Sequence, residues 1–245
     1  MKARKKAGQK RLFPTVFQAK HAPGPGLFWT GWLIVCSLAT GCCELANAGE
    51  KFEPQAISFD SSESGKLPTD FSTALTGGGG PVSWVVREYP TAPKSQKVLL
   101  QESSDATSYR FPLCIYEKTI ASDVAVEVNY KAISGKVDQA GGIVLRYSPQ
   151  NYYIARANAL EDNIALFKTV NGKRSQIKEA SIKVTPGEWH ALRFEAKGSH
   201  LKVAFDGKAV IETDDTTFSR PGKIGLWTKA DSVSAFTNLR IDAVQ

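Results

Sequence analysis

The stretch Asp123-Val124-Ala125-Val126-Glu127-Val128-Asn129-Tyr130 places a valine or tyrosine at every second position. Successive side chains of a β-strand point to opposite faces of a sheet, so the three valines and Tyr130 share one face. Polar side chains occupy most of the other face. This pattern is typical of a strand with one face against an apolar core and the other in water.

The same alternation recurs in residues 190–196 and 201–205, and two-residue turn signals, Asn171-Gly172 and Asp206-Gly207, separate such runs. We find no apolar repeat at the 3.6-residue period of a helix that lasts beyond two turns. The sequence therefore predicts an all-β domain, an antiparallel jelly-roll β-sandwich, over residues 82–245. The predicted core residues share parity on three strands: Val124, Val126, Val128, Leu192, Phe194, Val203 and Phe205. Residues 49–81 are rich in Gly and Ser, and we expect a loop-rich lead-in there with one N-terminal strand.

Residues 1–48 have the three parts of a secretory signal peptide: a basic start, an apolar run over 27–39, and the cleavage motif Ala46-Asn47-Ala48. Removing the segment, with its seven Lys and Arg residues and one acidic residue, lowers the formal net charge from +7 to +1. A domain so close to neutrality has no overall attraction for nucleic acid, and we expect no nucleic-acid partner. Its expected location is periplasmic or extracellular.

A second interpretation of the same segment stays open. The run Leu38-Ala39-Thr40-Gly41-Cys42 is similar to a lipoprotein box, in which lipids attached to Cys42 would anchor the protein in the cell envelope. The apolar run itself is shorter than the ~20 residues that a spanning helix needs. After cleavage at Ala48 only Cys114 remains, which we expect to be a buried apolar side chain.

Several segments together carry a family resemblance: Gln139-Ala140-Gly141-Gly142-Ile143-Val144-Leu145-Arg146-Tyr147, residues 151–163, Trp189-His190-Ala191-Leu192-Arg193, Phe205-Asp206-Gly207-Lys208, and residues 222–232. From about residue 55 to 243 the chain resembles the concanavalin A-like lectin/glucanase superfamily. The branch it resembles most is that of exported bacterial 3-keto-disaccharide hydrolase-like domains, also described as family-16 glycoside hydrolase-like. The resemblance implies a jelly-roll sandwich with a carbohydrate-type ligand.

The residues give little support to an enzyme. The Glu-x-Asp-x-x-Glu strand of family-16 glucanases is absent, and Asp123 and Glu127, four strand residues apart, are separated by about 13 Å. A catalytic carboxylate pair of a glycosidase lies roughly 5–9.5 Å apart. His190 follows the core parity and His200 lies at a turn, so neither is marked as a base. The remaining catalytic candidates are Glu161 and Asp231.

Aromatic and hydrogen-bonding side chains concentrate in residues 146–168, with a second group near residue 228. Rings cover the C–H faces of a sugar, while Arg, Asn and Glu pair with its hydroxyls. The alternative is an ordinary wet sheet face, and Trp227 in particular could be core. The predicted ligand-binding residues are Arg146, Tyr152, Tyr153, Arg156, Asn158, Glu161, Asn163, Lys168, Trp227 and Lys229. We expect no cofactor; oxygen-rich Asp162, Asn163 and Asp231 are the candidates for calcium.

Three functions therefore stay open: a carbohydrate-binding domain, a hydrolase acting on a glycoside or 3-keto-disaccharide, and a structural or partner-binding module of the cell envelope. The sequence predicts a membrane contact only through the signal or a lipid on Cys42. It leaves the oligomeric state open.

We expect the protein recovered from the cells that make it to lack at least residues 1–41, because a signal peptide is removed on export. Intact-mass spectrometry distinguishes the two processing routes. A chain that starts at Gly49 indicates cleavage after Ala48, and a lipid adduct on Cys42 indicates anchoring. Recovery of the chain with Met1 intact from the cytosolic fraction would contradict both.

Overall fold

The computed structural model describes residues 53–244, and within them it contains fifteen β-strands and no helix. Turns of a few residues join most of them, as the spacing of the turn signals indicates. The strands are β1 Gln55–Ile57, β2 Phe71–Gly77, β3 Trp84–Glu88, β4 Lys97–Gln101, β5 Arg110–Ala121, β6 Val124–Ser134, β7 Ala140–Ser148, β8 Asn151–Asn158, β9 Asn163–Val170, β10 Lys173–Ser181, β11 His190–Lys197, β12 His200–Phe205, β13 Lys208–Asp214, β14 Gly222–Thr228 and β15 Val233–Asp242.

The strands form two antiparallel sheets. The eight-stranded sheet has the order β13-β12-β11-β6-β15-β4-β3, with β1 added beside β15, and the seven-stranded sheet has the order β10-β9-β8-β7-β14-β5-β2. β6 and β7 follow each other in sequence but belong to different sheets, and so do β10 and β11. The predicted all-β sandwich is thereby confirmed.

The main apolar core draws buried residues from both sheets and lies between them. β6 and β11 align Val126 with Phe194 and Val128 with Leu192, and β12 continues the layer with Val203 opposite Phe194. All seven predicted core residues are buried, which confirms the face assigned to each strand. Cys114 is also fully buried in this core, and burial raises the pKa of its thiol well above the usual value.

His190 and His200, the two histidines among the described residues, also lie where the sequence pattern predicts. His190 is nearly buried, its Nδ1 2.8 Å from Asp206 Oδ2 and its Nε2 3.1 Å from the carbonyl oxygen of Thr185. His200 is exposed at the start of β12. Both histidines belong to strands of the eight-stranded sheet, away from the candidate site described below.

The lead-in is part of the sandwich. β2 pairs along its whole length with β5, and β1 pairs with β15, so residues before position 82 contribute a strand to each sheet. The predicted signal peptide and Cys42 lie outside the described residues. Within residues 53–244 no helix has the length and apolar character needed to cross a membrane.

Replacement of Phe194 by Ala should lower the free energy of unfolding by about 3–5 kcal/mol, because the ring is fully buried between the sheets and its loss leaves a cavity. Denaturant unfolding measures the change. Ile133→Ala, at a partly exposed position of β6, is the control and should cost less than about 1 kcal/mol. Equal losses in the two variants would show that the inter-sheet core is placed wrongly.

Candidate functional site

The seven-stranded sheet has a second apolar layer on its outer face, the side turned away from the other sheet. Its members all come from strands of this sheet and have the opposite parity to the inter-sheet core. On β8, for example, Tyr153, Ala155 and Ala157 enter the main core, whereas Tyr152 and Ile154 belong to the outer layer. The outer layer contains Phe111, Leu113, Ile115, Ala140, Val144, Tyr152, Ile154, Ala165, Phe167 and Trp227.

The side chain of Arg174 lies over the aromatic part of this layer. Its guanidinium carbon is 4.4 Å from the ring centroid of Phe167, 4.7 Å from that of Phe111 and 5.5 Å from that of Trp227. Phe111 and Trp227 stack on each other at 5.6 Å. A cation above ring faces is held by the negative potential of their π-systems, so the rings fix the position of this guanidinium.

A second arginine, Arg156, lies on the same face, on β8 beside the strand β9 that carries Phe167. Its Nη2 donates to Glu161 Oε2 at 2.7 Å and to Asn163 Oδ1 at 2.6 Å, and its guanidinium lies 5.2 Å from the Phe167 centroid. Burial raises the pKa of the Glu161 carboxyl, but Arg156 and Lys229 outweigh this effect and the net pKa is lowered. The carboxylate is therefore ionised at neutral pH, with 46% of its side chain exposed.

Three buried N–H groups around these rings have no hydrogen-bond partner in the part of the chain that the structure describes. They are Nε of Arg156, Nη1 of Arg174 and Nε1 of Trp227. A buried donor without a partner costs roughly 1–3 kcal/mol, so natural proteins rarely leave one unpaired. All three lie on one sheet face, but as buried atoms they are closed to a ligand unless a covering side chain moves.

A buried polar chain supports the turn that follows β8. Asn158 Nδ2 donates to Asp138 Oδ1 at 2.8 Å, and Asp138 is in turn ion-paired with Lys229. Asn158 Oδ1 accepts from the backbone N–H groups of Leu160 and Glu161 at 2.9 and 3.2 Å. Asn158 and Lys229 thus hold the turn that presents Glu161, and both side chains are already engaged by protein groups.

Two residues of this face were not among the sequence-derived candidates. Tyr109 is 69% exposed beside the layer, with its ring edge-on to Phe111 at 5.8 Å, and it is the most exposed aromatic side chain among the described residues. Arg174 is the other. The available signal for Tyr109 was an aromatic residue in a polar loop, whereas no local pattern marks Arg174, because the rings beneath it come from other strands.

The predicted site residues do not form one group. Arg156, Asn158, Glu161, Asn163, Trp227 and Lys229 come together at one end of the outer face, and Tyr152 lies farther along it against Tyr147. Tyr153 and Lys168 have the opposite parity on β8 and β9. Both reach Asp215, at 2.7 Å from Tyr153 Oη and 2.7 Å from Lys168 Nζ. Their inclusion in the same site was wrong, because alternate residues of a strand face opposite sides.

Arg146 was likewise placed wrongly. Its φ of +53° lies at a β-bulge of β7, which turns the side chain away from the outer face. The buried guanidinium donates to the carbonyl oxygens of Ser122, Gly198 and Phe218, so it joins loops at one end of the sandwich. The hydrogen-bond donors of Arg146 are therefore bound to protein groups and are not directed at a ligand.

Asp231 also has a structural position. Its carboxylate accepts hydrogen bonds from the backbone N–H groups of Lys136, Val137 and Asp138 at 2.7–3.1 Å. Burial raises its pKa, these bonds lower it more strongly, and the net pKa lies below the usual value. A carboxylate so engaged is a loop anchor rather than a catalytic base, which removes one of the two catalytic candidates.

The three calcium candidates do not converge. Asp162 is ion-paired with Lys183 and accepts from the backbone N–H of Val184, Asn163 binds Arg156, and Asp231 holds its loop. No group of three His, Cys, Asp or Glu side chains among residues 53–244 is arranged to hold a metal ion.

The part of the chain that contains most strands of this face matches a known protein family. A model described as the 3-keto-alpha-glucoside-1,2-lyase-like domain matches residues 110–242, from the first residue of β5 to the last of β15. The chain belongs to this family. The 3-keto-disaccharide hydrolase-like resemblance of the sequence is confirmed.

Among curated proteins, a levanase of Bacillus subtilis (strain 168) is 29% identical over 143 residues, which are 57% of this chain. The matched region is only 20% of the length of that relative. Among solved structures, the carbohydrate-binding module CBM66 from Bacillus subtilis has a TM-score of 0.56 at 23% identity and covers 71% of this chain and 96% of its own. The carbohydrate recognition domain of Emp47p has a TM-score of 0.51 at 10% identity, covering 78% and 95%. These structures share the fold.

Replacement of Asp231 by Ala should lower the free energy of unfolding at neutral pH by at least about 2 kcal/mol, since three backbone donors lose their acceptor. The pKa of Asp231 is lowered in the folded state, so its contribution is present above the ordinary value of 3.8 and is lost as the pH falls below it. Urea unfolding at several pH values should show the difference from wild type shrinking in acid. Asp70→Asn, at an exposed aspartate, is the control. A stability unchanged at pH 7 would refute the anchor role.

Proposed function

We propose that this protein is a carbohydrate-binding domain and that the outer face of its seven-stranded sheet is the binding surface. The observation that carries the proposal is the set of accessible groups beside an aromatic layer: the guanidinium of Arg174 above its rings, the exposed ring of Tyr109 and the half-exposed carboxylate of Glu161. A sugar ring is apolar on its faces and bears hydroxyls at its edge. It needs both an aromatic or planar surface and convergent donors and acceptors.

The side chains divide these tasks. Arg174 and the exposed ring of Tyr109 offer flat surfaces to the C–H face of a sugar. The ionised Glu161 accepts from hydroxyl groups beside the amide of Asn163, and the buried Arg156 beneath them holds both side chains in place. Carboxylate and guanidinium hydrogen bonds are stronger than neutral ones, so a few of them suffice for a small ligand.

The comparisons support the same class of ligand. The names of the two solved relatives with this fold describe carbohydrate recognition, and the family description names a sugar derivative. Fold likeness alone does not fix function, so the proposal rests on the residues of the outer face. The expected export of the chain would place the domain where extracellular or periplasmic glycans occur.

A lyase or hydrolase acting through Glu161 is the second candidate, favoured by the family description. A general base works best with a pKa near the working pH, and here the pKa of Glu161 is lowered instead of raised. No second carboxylate free of protein partners lies beside it among the residues named for this face. Binding is therefore the function that the geometry supports better.

An immobilised panel of levan, inulin, xylan, β-glucan and starch, together with their oligosaccharides, identifies the ligand. For the best of them, Arg174→Ala should weaken binding by roughly tenfold or more, because a charged donor is removed. Arg87→Ala is the matched control: Arg87 is an exposed arginine of the eight-stranded sheet, paired with Glu102 at 2.7 Å. Calorimetric titration measures affinity, and thermal unfolding reports stability.

Unchanged binding by the Arg174→Ala protein would exclude the outer face as the binding surface, as would binding lost only together with the folded state. Glu161→Gln separates the two candidate functions. Suppose that wild type forms a product and that Glu161→Gln binds the sugar equally well but forms none. The protein is then an enzyme, and the proposed binding function is replaced by the second candidate. Weaker binding without any product from wild type supports the proposal.

A further inference from the structure

A cavity of about 400 Å³ lies on the same outer face, where β5 and β7 end and β14 begins. Its lining includes Ser72, Glu117, Tyr147 and Lys223, contributed by β2, β5, β7 and β14. These strands are neighbours in the seven-stranded sheet. None of the four residues belongs to the group around Arg156.

The polar side of the cavity is an ion pair with a hydroxyl beside it. Glu117 accepts a hydrogen bond from Ser72 Oγ and is paired with Lys223 Nζ. The hydrogen bonds from Lys223 and from Ser72 lower the pKa of the Glu117 carboxyl. Both charged side chains are 35% exposed, so donors and acceptors of the pair remain open to a ligand in the cavity.

The apolar side is the ring of Tyr147, which is half-buried. It lies in register with Lys223 across the β7–β14 pair and packs against Tyr152 at a centroid distance of 5.7 Å. Tyr152 is a member of the outer apolar layer, which continues through Ile154 toward Phe167 and Trp227. The cavity and the Arg156 group therefore lie at the two ends of one apolar layer, in which Tyr152, Ile154 and Trp227 are fully buried.

The distance between the cavity and the Arg156 group follows from the rise per residue along the strands. Lys223 and Trp227 are four residues apart on β14, and Tyr152 and Arg156 are four residues apart on β8. Strand rise places each pair about 13 Å apart. A single sugar ring cannot span this distance, whereas a short oligosaccharide can.

We propose that the cavity of Ser72, Glu117, Tyr147 and Lys223 is a second sugar subsite and that the protein recognises an oligosaccharide lying along the outer face. The inference rests on the proposed carbohydrate-binding function and specifies its ligand class. In this arrangement Tyr147 receives the apolar face of one ring. Glu117 and Lys223 accept from and donate to its hydroxyls, and the Arg156 group holds another ring of the same chain.

The competing explanation is a cross-strand ion pair that only stabilises the sheet. The chain offers a matched control for it: Lys202 and Glu212 also face each other across two strands, β12 and β13, at 3.1 Å, on the eight-stranded sheet. This pair carries the same two charges, its side chains are also partly exposed, and neither residue lines the cavity.

The experiment compares a disaccharide with the tetra- and hexasaccharide of the same series, taken from the best polysaccharide of the panel. Wild type should bind the longer sugars roughly tenfold or more tightly than the disaccharide. Tyr147→Ala and the double variant Glu117→Ala/Lys223→Ala should remove that gain. They should leave the affinity for the disaccharide unchanged, with little change in melting temperature. The double variant Lys202→Ala/Glu212→Ala should behave as wild type.

Three results would overturn the subsite. The first is an equal affinity of wild type for short and long sugars. The second is a gain with length that both cavity variants retain while Arg174→Ala loses it, which leaves the carbohydrate-binding function intact without this subsite. The third is the absence of binding to every sugar of the panel, which overturns the proposed function together with its extension.

Discussion

The two-residue period of β8 determines what the outer face can do. Tyr153, Ala155 and Ala157 point inward and pack in the core between the sheets. Arg156 and Asn158 point outward, on the side of the outer apolar layer. Because a shift of one residue would exchange the two sets, the core that holds the sandwich together also holds the site in register. Stability and ligand contact therefore depend on the same strand pairing.

Much of the fold could be predicted because the alternation is local. Phe194 and its neighbours on β6 and β12 are buried as their parity requires, and the same reasoning places Arg156 and Asn158 together. Arg146 shows where the reasoning fails: a bulge with φ of +53° changes its direction, and no residue pattern marks that bulge. Arg174 could not be found from its own strand. Its importance comes from rings on β5, β9 and β14, which only the tertiary fold brings beneath it.

The loops at the site end of the sandwich are held by buried charges. Arg110 is fully buried and donates to the carbonyl oxygens of Gly80, Pro81 and Ala230, which ties the glycine-rich loop to the β14–β15 turn. Asp231 then anchors the loop between β6 and β7. Since a buried charge is costly unless it is fully hydrogen-bonded, these two residues fix the loop backbones and leave the exposed side chains of Tyr109 and Glu161 on a rigid support.

The two arginines of the face repel each other, and this repulsion bears on what the site can bind. Burial lowers the pKa of Arg174, the charge of Arg156 lowers it further, and Asp138, Tyr109 and Glu161 act in the opposite direction. A sheet that only needed to cover its outer layer would be served as well by apolar side chains, without the cost of bringing two cations together. Oxygen acceptors of a ligand placed beside Arg174 would relieve part of this repulsion. The electrostatics of the free protein are therefore compatible with a ligand that brings oxygen acceptors to this face, as the proposed sugar does.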